Sequence, residues 1–530
     1  MYPVKNGNFN RRFAILHKEV VFLFARVNST GCYGMEAFCV EVEADCYNGL
    51  PRFDIVGLPD ASVKESCDRV RAAMKNCGCH FPVSRITVNL APADRRKEGP
   101  LYDLPMLVAL LAASGQLKQM SPKSAFFGEL SLDGAVRRVN GALPMVIQAR
   151  DAGWDEVFLP AGNAAEGSVV EGIKVYPVAH LKQLLAHLRG QEKIAPAEPV
   201  EAMASPLALP DFADVKGQRE AKRALEVAAA GNHNVLMIGP PGSGKSMLAK
   251  RLPSVLPGLS PAESLETTKL YSVAGELPSD VSLLRERPFR SPHHTVSAAG
   301  LSGGGSIPRP GELSLAHNGV LFLDELPEFN RVALEVLRQP MEDGSVSISR
   351  AAGTVRYPCA VMLVCAMNPC PCGFFGHPTR RCTCPPGAAQ RYLSRVSGPL
   401  LDRLDIHIEV PPVDFKRLAS EEKSEASSLI RERIQRARDT QQARFKNRGL
   451  HANGQMDAAH TREHCKLDGE GRRLLESAFA ALGLSARAYD KILRVARTIA
   501  DLEGSEAIAT PHLAEAVQYR SLDRKFWAER

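Results

Sequence analysis

The chain contains a glycine-rich stretch whose residue types can bind the phosphates of a nucleotide. The segment HNVLMIGPPGSGKSMLAKRL has the spacing G-x-x-x-x-G-K-S. In this pattern the glycines let backbone N–H groups turn towards phosphate oxygens, the lysine places a cation on the β- and γ-phosphates, and the serine hydroxyl binds Mg²⁺. The predicted phosphate-binding residues are Gly239, Pro240, Pro241, Gly242, Ser243, Gly244, Lys245 and Ser246.

Two acidic residues follow an apolar run in the segment GVLFLDELPEF. A carboxylate at the tip of a buried strand, here Asp324, can hold Mg²⁺ directly or through water. The next residue, Glu325, can orient and activate the water that attacks the γ-phosphate. Another apolar run, AVMLVCAMN, ends in Asn368, whose amide can position that water. With Lys245 on the phosphates and Ser246 and Asp324 on Mg²⁺, these residues form a predicted site for ATP hydrolysis.

The elements that must position these residues follow from the apolar runs. Val235–Ile238 precedes the glycine-rich stretch and predicts a buried strand, while Ser246–Arg251 predicts a helix that points its positive N-terminus at the phosphates. Val320–Leu323 predicts a second buried strand, and the run that ends in Asn368 predicts a third. An α/β core is therefore expected around the site.

Four cysteines directly follow Asn368 in the segment NPCPCGFFGHPTRRCTCPPG, which we call the cysteine loop (residues 368–387). Two pairs of thiolates nine residues apart can close a tetrahedral site, and four protein ligands leave no open position for water, so the predicted Zn²⁺ is structural. His377 is an alternative ligand, and reduced thiols without metal are the alternative interpretation. The predicted zinc ligands are Cys370, Cys372, Cys382 and Cys384.

The composition of the 530 residues is that of a globular protein with a formal net charge of +7, which permits a polyanionic partner without requiring one. No apolar run approaches the roughly 18–20 residues that a membrane span needs, and His17, Lys18 and Glu19 interrupt the apolar N-terminus. A cytoplasmic location is therefore expected.

Five segments are predicted from shifts in composition and periodicity. They are an N-terminal extension (1–24), a mixed α/β domain (25–189), a linker rich in Ala, Pro and Glu (190–210), the α/β core with the cysteine loop (211–413) and a helical domain (414–530).

Four long motifs resemble one known family. They are NGLPRFDIVGLPDASVKES, FRSPHHTVSAAGLSGGGSIPRPGELSLAHNGVLFLDELPEF, NPCPCG and LSARAYDKILRVARTIADL. From about residue 25 to its end the chain resembles the YifB/ComM family of magnesium-chelatase-like AAA+ ATPases. The resemblance implies a hexameric ring with ATP sites between subunits. It also implies that Arg403, in SGPLLDRLDIHIEV, is the arginine finger and that Arg487, in LSARAYDKI, is the sensor-2 arginine of a helical lid (414–530).

The resemblance further implies a DNA helicase or translocase that promotes branch migration of joint DNA molecules in homologous recombination and natural transformation, with single-stranded and branched DNA and recombination proteins as partners. Two segments are candidate DNA contacts, because cations on pore loops can follow phosphates without reading sequence. Arg309 lies in the glycine-rich insert HHTVSAAGLSGGGSIPRPGE, and Arg350 and Arg356 lie in the predicted hairpin SVSISRAAGTVRYP. The alternative is a plain hairpin with solvated arginines.

The segment 25–189 resembles the Lon protease domain, a ribosomal-S5-like α/β fold. Leu101 follows Gly99 and Pro100 at the position expected for the nucleophilic serine, and no lysine lies between Gly141 and Arg150. Without a hydroxyl and an amine there is no nucleophile–base pair, so a non-peptidase domain is expected. Two alternatives to a DNA motor remain at this point: a chelatase-type motor that remodels a protein partner without DNA activity, and an ATP-dependent protease.

Overall fold

A computed structural model describes residues 23–199, 209–305, 308–350, 353–377, 379–412, 424–446 and 448–527. Most of the predicted N-terminal extension, the centre of the predicted linker and the start of the predicted helical domain lie outside these ranges. The described chain forms two compact units. One takes the residues up to Gly31, Phe38–Val139 and Met145–Glu198, and the other takes Cys32–Ala37, Asn140–Pro144 and the residues from Pro199 onwards. The five predicted segment boundaries stay a prediction.

The first unit is built on a mixed seven-stranded sheet with the order β3-β4-β2-β1-β5-β8-β9. Its strands, with the two-stranded pair β6–β7, are β1 (Leu23–Tyr33), β2 (Glu36–Tyr47), β3 (Arg52–Val56), β4 (Arg85–Ala91), β5 (Ser124–Phe126), β6 (Glu129–Leu130), β7 (Val136–Arg137), β8 (Glu156–Pro160) and β9 (Lys174–Val178). Along β2 every second side chain is buried, because the sequence alternates apolar and polar residues with period two.

Helices accompany this sheet. They are Ala61–Lys64, Ser66–Asn76, Asp103–Ala113, Ala142–Asp151, Ala164–Gly167 and Leu181–Leu188. Every residue of Asp103–Ala113 is buried, which agrees with the apolar helix that its sequence predicts. The one charged group of that helix, Asp103, accepts hydrogen bonds from Nε and Nη2 of Arg69 at 2.7 and 3.0 Å. A buried carboxylate thus has the partner that it needs.

The second unit contains a five-stranded sheet in which all adjacent pairs are parallel, in the order β11-β12-β15-β10-β16. Its strands, with the separate hairpin β13–β14, are β10 (Val235–Ile238), β11 (Phe289–Arg290), β12 (Val320–Leu323), β13 (Ser345–Arg350), β14 (Gly353–Pro358), β15 (Met362–Met367) and β16 (Ile406–Glu409). All side chains of the sequences VLMI, VLFL and MLVCAM are buried. Continuous apolar runs of this kind are typical of parallel strands that are covered on both faces.

Helices before and between these strands cover the sheet. They are Arg219–Gly231, Lys245–Ala249, Leu252–Val255, Pro261–Ala274, Ala298–Ser302, Glu312–Leu315, Arg331–Glu335, Arg338–Asp343, Ala388–Leu393 and Gly398–Leu401. A C-terminal group follows, with Ser427–Arg444, Ala458–His464, Gly469–Leu482, Ala486–Leu502, Thr510–Gln518 and Leu522–Trp527. In the described part of the chain no helix is both long enough and apolar enough to cross a membrane.

The lid helix Ala486–Leu502 begins at Ser485, whose hydroxyl accepts the N–H of Ala488 at 3.3 Å. Its apolar face packs against the helix Arg219–Gly231, which covers the sheet. An amphipathic helix is stabilised mainly by this burial rather than by its own propensity. The lid helix is therefore part of the same hydrophobic core as the α/β sheet.

A buried ionic network also joins the lid helix to the sheet. Lys491 Nζ lies 3.2 Å from Asp405 Oδ1, and the backbone N–H of Asn234 donates to Asp405 Oδ2 at 3.0 Å. Burial alone would raise the pKa of Asp405, but the charge of Lys491 and the nearby His233, whose Nδ1 lies 3.7 Å from Asp405 Oδ2, outweigh it and hold the pKa below its usual range. Asp405 is therefore a carboxylate whose charge depends on these partners.

Replacing Lys491 by Met is expected to lower the free energy of unfolding by about 3–5 kcal/mol, because it leaves a buried carboxylate without its cation. Urea unfolding followed by circular dichroism measures this loss. The matched control is Lys525→Met, which removes a half-exposed ion pair to Glu409 and is expected to cost about 0–1 kcal/mol. Equal losses in the two variants would contradict the structural role of Lys491.

Candidate active site

The residues predicted to bind and hydrolyse ATP lie along one edge of the five-stranded sheet. Strand β15 lies between β10 and β12, with Ile238 opposite Met367 and Leu323 opposite Cys365. Because all three strands are parallel, their carboxyl ends emerge on the same side, where ligands bind in open α/β sheets. The glycine-rich loop after β10, the acidic pair after β12 and Asn368 after β15 therefore meet.

The glycine-rich loop 239–246 wraps the end of β10 as its motif predicts. Gly242 and Gly244 have positive φ angles of 77° and 92°, which residues with a side chain rarely adopt. The helix after the loop runs from Lys245 to Ala249, one residue earlier at its start and two residues shorter at its end than the sequence predicted. The helix ends where the N–H of Arg251 donates to the carbonyl of Leu248, three residues back, and a second short helix, Leu252–Val255, follows directly.

Lys245 is held at the centre of the site by three acceptors. Its Nζ donates to the carbonyls of Gly239 and Pro240 at 2.8 and 3.0 Å and to Asn368 Oδ1 at 3.2 Å. Desolvation lowers the pKa of Lys245 to about 8. The negative charges of Asp324 and Glu325 offset only part of that effect. An ammonium group in this environment gains a strong partner when a phosphate binds.

Nucleotide affinity is expected to fall about tenfold between pH 7 and pH 9, because the protonated fraction of a lysine with a pKa of about 8 falls by that factor. The sign follows from the charge: the ammonium form binds phosphate, so affinity is full below the pKa and is lost as the pH rises through it. Titration of a fluorescent ATP analogue with Mg²⁺ measures the effect. In Lys245→Arg the guanidinium stays charged, so affinity should be the same at pH 7 and pH 9. A tenfold fall in this variant as well would contradict the assignment to this side chain.

Ser246 and Asp324 are brought together as a pair of oxygen donors. The Ser246 hydroxyl donates to Asp324 Oδ2 at 2.5 Å. A hydroxyl and a carboxylate are hard oxygen ligands of the kind that Mg²⁺ takes beside substrate phosphates. The buried Ser243 hydroxyl has no hydrogen-bond partner among the described residues. Both observations fit a loop built to receive Mg²⁺ and phosphate oxygens.

Glu325 has an unusual backbone conformation. Its φ and ψ are 52° and 46°, in the left-handed region, where a residue other than glycine costs about 1–2 kcal/mol. Its N–H donates to Asp324 Oδ1 at 2.9 Å, and its side chain is 56% exposed. Backbone strain of this kind clusters at functional sites.

Two polar residues in this region were not assigned to the site from the sequence. His294 Nδ1 lies 3.4 Å from Glu325 Oε2. Gln218 donates from Nε2 to the carbonyl of Ser243 at 3.1 Å and to that of Pro411 at 2.6 Å. No local sequence pattern predicts either contact, because each contact joins segments that are distant in sequence.

Arg403 binds acceptors in its own chain. Its guanidinium donates to Glu342 Oε1 at 2.5 Å and to the carbonyls of Arg338 and Pro399 at 3.0 and 2.7 Å. Its side chain is only 13% exposed, whereas that of Glu342 is 60% exposed. To act as the predicted arginine finger, Arg403 would have to release Glu342 and bind the γ-phosphate of the nucleotide in a neighbouring subunit.

Arg487 lies in the first turn of the lid helix and is 68% exposed. Its Nη1 is 3.5 Å from Oδ2 of Asp402, the residue directly before Arg403. Asp402 therefore connects the two predicted phosphate-binding arginines within one chain.

The predicted hairpin is present, but its arginines lie on different faces. Arg350 is opposite Gly353 on the side of the buried residues, and its Nε donates to the carbonyl of Gly305 in the glycine-rich insert at 3.1 Å. Arg356 is opposite Ser347 on the exposed face. Arg309 is exposed within the insert itself. Hairpin and insert are thus joined by Arg350 and also by Tyr357, whose hydroxyl donates to the carbonyl of Pro308 at 2.8 Å.

The four cysteines of the cysteine loop form one cluster. Sγ of Cys370 lies 3.4 Å from that of Cys372 and 3.8 Å from that of Cys382, and all four sulfurs are within 4.8 Å of one another. A zinc–sulfur distance of about 2.3 Å gives tetrahedral sulfur separations of about 3.8 Å, which this arrangement matches. The N–H of Cys372 donates to the sulfur of Cys384 at 3.4 Å, the kind of contact that stabilises a metal-bound thiolate. The donor set fits Zn²⁺.

His377, the alternative ligand, has another role. Its Nδ1 accepts the backbone N–H groups of Thr379 and Arg380 at 3.1 and 3.0 Å. Among the described residues it is not part of the sulfur cluster, which consists of cysteines alone.

Comparison with known proteins places this site in a family. Three profiles match: "Magnesium chelatase, subunit ChlI" over residues 211–418, "Subunit ChlI of Mg-chelatase" over 42–163 and "Magnesium chelatase, subunit ChlI C-terminal" over 424–520. YifB of Salmonella typhimurium is 44% identical over 507 residues, which cover 94% of this chain and 97% of YifB. The competence protein ComM of Haemophilus influenzae is 44% identical over 507 residues, 94% of this chain and 98% of ComM. The chain belongs to the YifB/ComM family.

Membership of the YifB/ComM family confirms the expected fold class, an N-terminal Lon-like α/β domain followed by an AAA+ α/β core and a helical C-terminal region. Lon protease 2 of Bacillus subtilis is 29% identical over 182 residues, 32% of this chain and 31% of Lon protease 2. At the position predicted for a Lon-type nucleophile, this YifB/ComM member has the buried Leu101, which lies in the 3-10 helix Pro100–Tyr102.

Proposed function

We propose that this protein is an ATP-driven motor on DNA, which acts on joint molecules formed when single strands are paired with homologous duplex during competence. The observation that carries the proposal is the convergence of Lys245, Ser246, Asp324 and Asn368 at one sheet edge, in a chain similar throughout to a protein named for competence. The site supports ATP hydrolysis as the energy source, and the similarity supports a role in competence.

In the proposed hydrolysis cycle, Lys245 leaves its three acceptors and neutralises the β- and γ-phosphates. Ser246 and Asp324 would hold Mg²⁺, which neutralises charge on the phosphate oxygens. Glu325 accepts a proton from the attacking water while Asn368 fixes that water near the γ-phosphate. Lys245 already contacts Asn368 in the structure, and Ser246 already contacts Asp324.

The same proposal includes a ring, in our account a hexamer, with Arg403 and Arg487 reaching the nucleotide of an adjoining subunit. A planar guanidinium binds a transferring phosphoryl group through several parallel hydrogen bonds. Nη1 of Arg487 lies 3.5 Å from Oδ2 of Asp402, the residue before Arg403, so the two arginines are near enough in the fold to act at one subunit interface. Hydrolysis would then depend on the contact between subunits.

The composition of the chain around the hairpin supports DNA as the substrate. From residue 344 to residue 401 there is no Asp, Glu or Lys, while six arginines occur: Arg350, Arg356, Arg380, Arg381, Arg391 and Arg395. Arg395 pairs with Glu328 from outside this segment, but a segment with arginines and no acidic residues of its own still favours contact with a phosphate backbone irrespective of sequence. The exposed Arg356 and Arg309 are the proposed contacts, and Arg350 positions the insert that carries Arg309.

Arg356→Ala is expected to weaken binding of forked DNA and to reduce the slope of log affinity against log salt by about 1, as the loss of one phosphate contact should. Filter binding at several salt concentrations measures both effects. The matched control is Arg448→Ala, which removes an exposed arginine paired with Glu463 in the C-terminal helical region. If the two variants have the same slope, the hairpin does not contact DNA.

The experiment that tests the proposed function is the ATPase rate measured with single-stranded, duplex and branched DNA. The proposal expects stimulation by DNA, and most by branched DNA. A chelatase-type motor that remodels a protein partner is the second candidate. It is favoured by the three magnesium-chelatase profiles, which match residues 42–163, 211–418 and 424–520. An ATPase rate that no DNA changes, together with no salt-sensitive DNA binding, would favour that second function.

The cysteine loop is proposed to hold one Zn²⁺. Four thiolates in tetrahedral reach leave no position for water, so the ion would have a structural role. Cys359 and Cys365 lie outside the cluster, and burial raises the pKa of both thiols, to about 12 for Cys359. Zinc binding is therefore assigned to the four loop cysteines, and two nearby cysteines remain as core residues.

A further inference from the structure

The cysteine loop has little hydrophobic core of its own. Pro369 and Cys370 are buried where the loop leaves β15, but among the described residues from 371 to 387 only Gly373 is buried. A segment of this kind depends on something other than apolar burial to hold its shape. Yet the loop lies directly against the candidate nucleotide site, at two points.

The first point of contact is Gly373. It lies on the turn closed by its N–H to the carbonyl of Cys370, at 2.9 Å. Its φ is 81°, and a Cβ atom there would overlap Cδ of Pro241 and lie 2.7 Å from Cγ of that ring. Backbone of the cysteine loop therefore packs against the middle of the phosphate-binding loop without space for a methyl group.

The second point of contact is the start of the loop. The carbonyl of Met367 accepts the N–H of Gly239 at 3.2 Å, and Asn368 Oδ1 accepts Lys245 Nζ. Asn368 is two residues before the ligand Cys370. The short segment from Met367 to Gly373 therefore contacts the phosphate-binding loop at both of its ends. Two of the four cysteines, Cys370 and Cys372, lie within that segment.

We propose that the metal bound by the four cysteines positions the phosphate-binding loop, so that nucleotide affinity depends on an occupied metal site. Gly373 is the positioning residue, because its backbone transmits the shape of the metal-bound turn to Pro241. A loop without metal loses this fixed turn and lets the phosphate-binding loop relax. The inference rests on the proposed binding of nucleotide at Lys245 and adds a metal requirement to it.

The test compares two glycines of the same loop in the full-length protein. Gly373→Ala and Gly376→Ala both place a methyl group on a residue with positive φ, 81° and 72°. A Cβ on Gly373 meets Pro241, whereas a Cβ on Gly376 has no atom within 4 Å. Backbone strain is therefore matched, and only contact with the phosphate-binding loop differs. The measurements are zinc content per chain and the dissociation constant of a fluorescent ATP analogue with Mg²⁺.

We expect one zinc ion per chain in both variants, with affinity for the analogue about tenfold weaker in Gly373→Ala and within about twofold of wild type in Gly376→Ala. A second arm treats wild-type protein with a chelator selective for zinc over magnesium. Affinity should fall on zinc removal and return when zinc is added back, while far-ultraviolet circular dichroism stays constant. This arm avoids cysteine variants that fail to fold.

Each outcome decides the inference. Equal affinities for the two glycine variants, or unchanged affinity after zinc removal, would overturn it, and so would protein purified without bound zinc that binds the analogue normally. The proposed function is judged separately by wild-type protein with zinc: if that protein does not bind the analogue, the nucleotide site itself is wrong.

Discussion

Replacing Glu325 by Gln is expected to lower the rate of ATP hydrolysis about 10²–10⁴-fold, the usual contribution of a general base, while Mg·ATP still binds. The amide keeps the size of the side chain but cannot accept the proton of the attacking water. Binding is expected to persist because Lys245 is the proposed phosphate contact and Ser246 and Asp324 are the proposed Mg²⁺ ligands, none of which the substitution alters. Steady-state hydrolysis and a fluorescent-nucleotide titration measure the two effects.

The control for this prediction is Glu328→Gln. Glu328 is the last residue of the 3-10 helix Leu326–Glu328, which begins directly after Glu325. Its carboxylate lies 3.1 Å from Arg395 Nη1. The substitution removes one acidic charge close to the same site, and the rate should stay within about twofold of wild type because an exposed ion pair contributes little. Comparable losses in both variants would show that the rate depends on local charge and not on a base at Glu325.

Arg403→Ala is expected to lower hydrolysis about 10³–10⁵-fold in the assembled protein, the effect of removing an arginine finger. The site lost belongs to the neighbouring subunit, so the defect should be shared across an interface. The contacts of Arg403 with Glu342 and with two backbone carbonyls are lost as well, and a mixing experiment separates that structural effect from the loss of the finger.

Mixing separates the finger from a structural role. Inactive Arg403→Ala subunits mixed with inactive Lys245→Ala subunits should regain part of the wild-type rate, because some interfaces then combine an intact finger with an intact phosphate-binding loop. The control mixes Arg403→Ala with the double variant that carries both Arg403→Ala and Lys245→Ala, where no interface has an intact finger, so no activity should return. Failure of the first mixture to gain activity, with rings of mixed composition verified, would place Arg403 outside the neighbour's site.

Much of the site could be predicted from sequence because it depends on local patterns. The runs VLMI, VLFL and MLVCAM are each followed by the polar residues that a parallel sheet must bring to one edge, and the structure does so. The cysteine spacing likewise predicts the sulfur cluster that the structure forms. Periodicity and motif spacing carry this information without any knowledge of tertiary contacts.

The remaining features depend on contacts between distant segments. The contact of His294 with Glu325 and that of Gln218 with Ser243 arise only when separate segments fold together. The orientation of Arg350 was missed for a related reason: strand alternation places it on the buried face, where a long side chain can still reach a backbone carbonyl of the insert. Such contacts have no signature in a single sequence.

The measurement that tests the account most directly is resolution of a labelled joint molecule, in which a linear strand is partly paired with a circular single strand. Wild-type protein with Mg·ATP is expected to drive the branch to completion, whereas wild type with ADP and Lys245→Ala with ATP are expected to leave it in place. Lys245→Ala protein that moves the branch as far as wild type would contradict the account. The same holds for wild-type protein that hydrolyses ATP on this DNA without moving the branch.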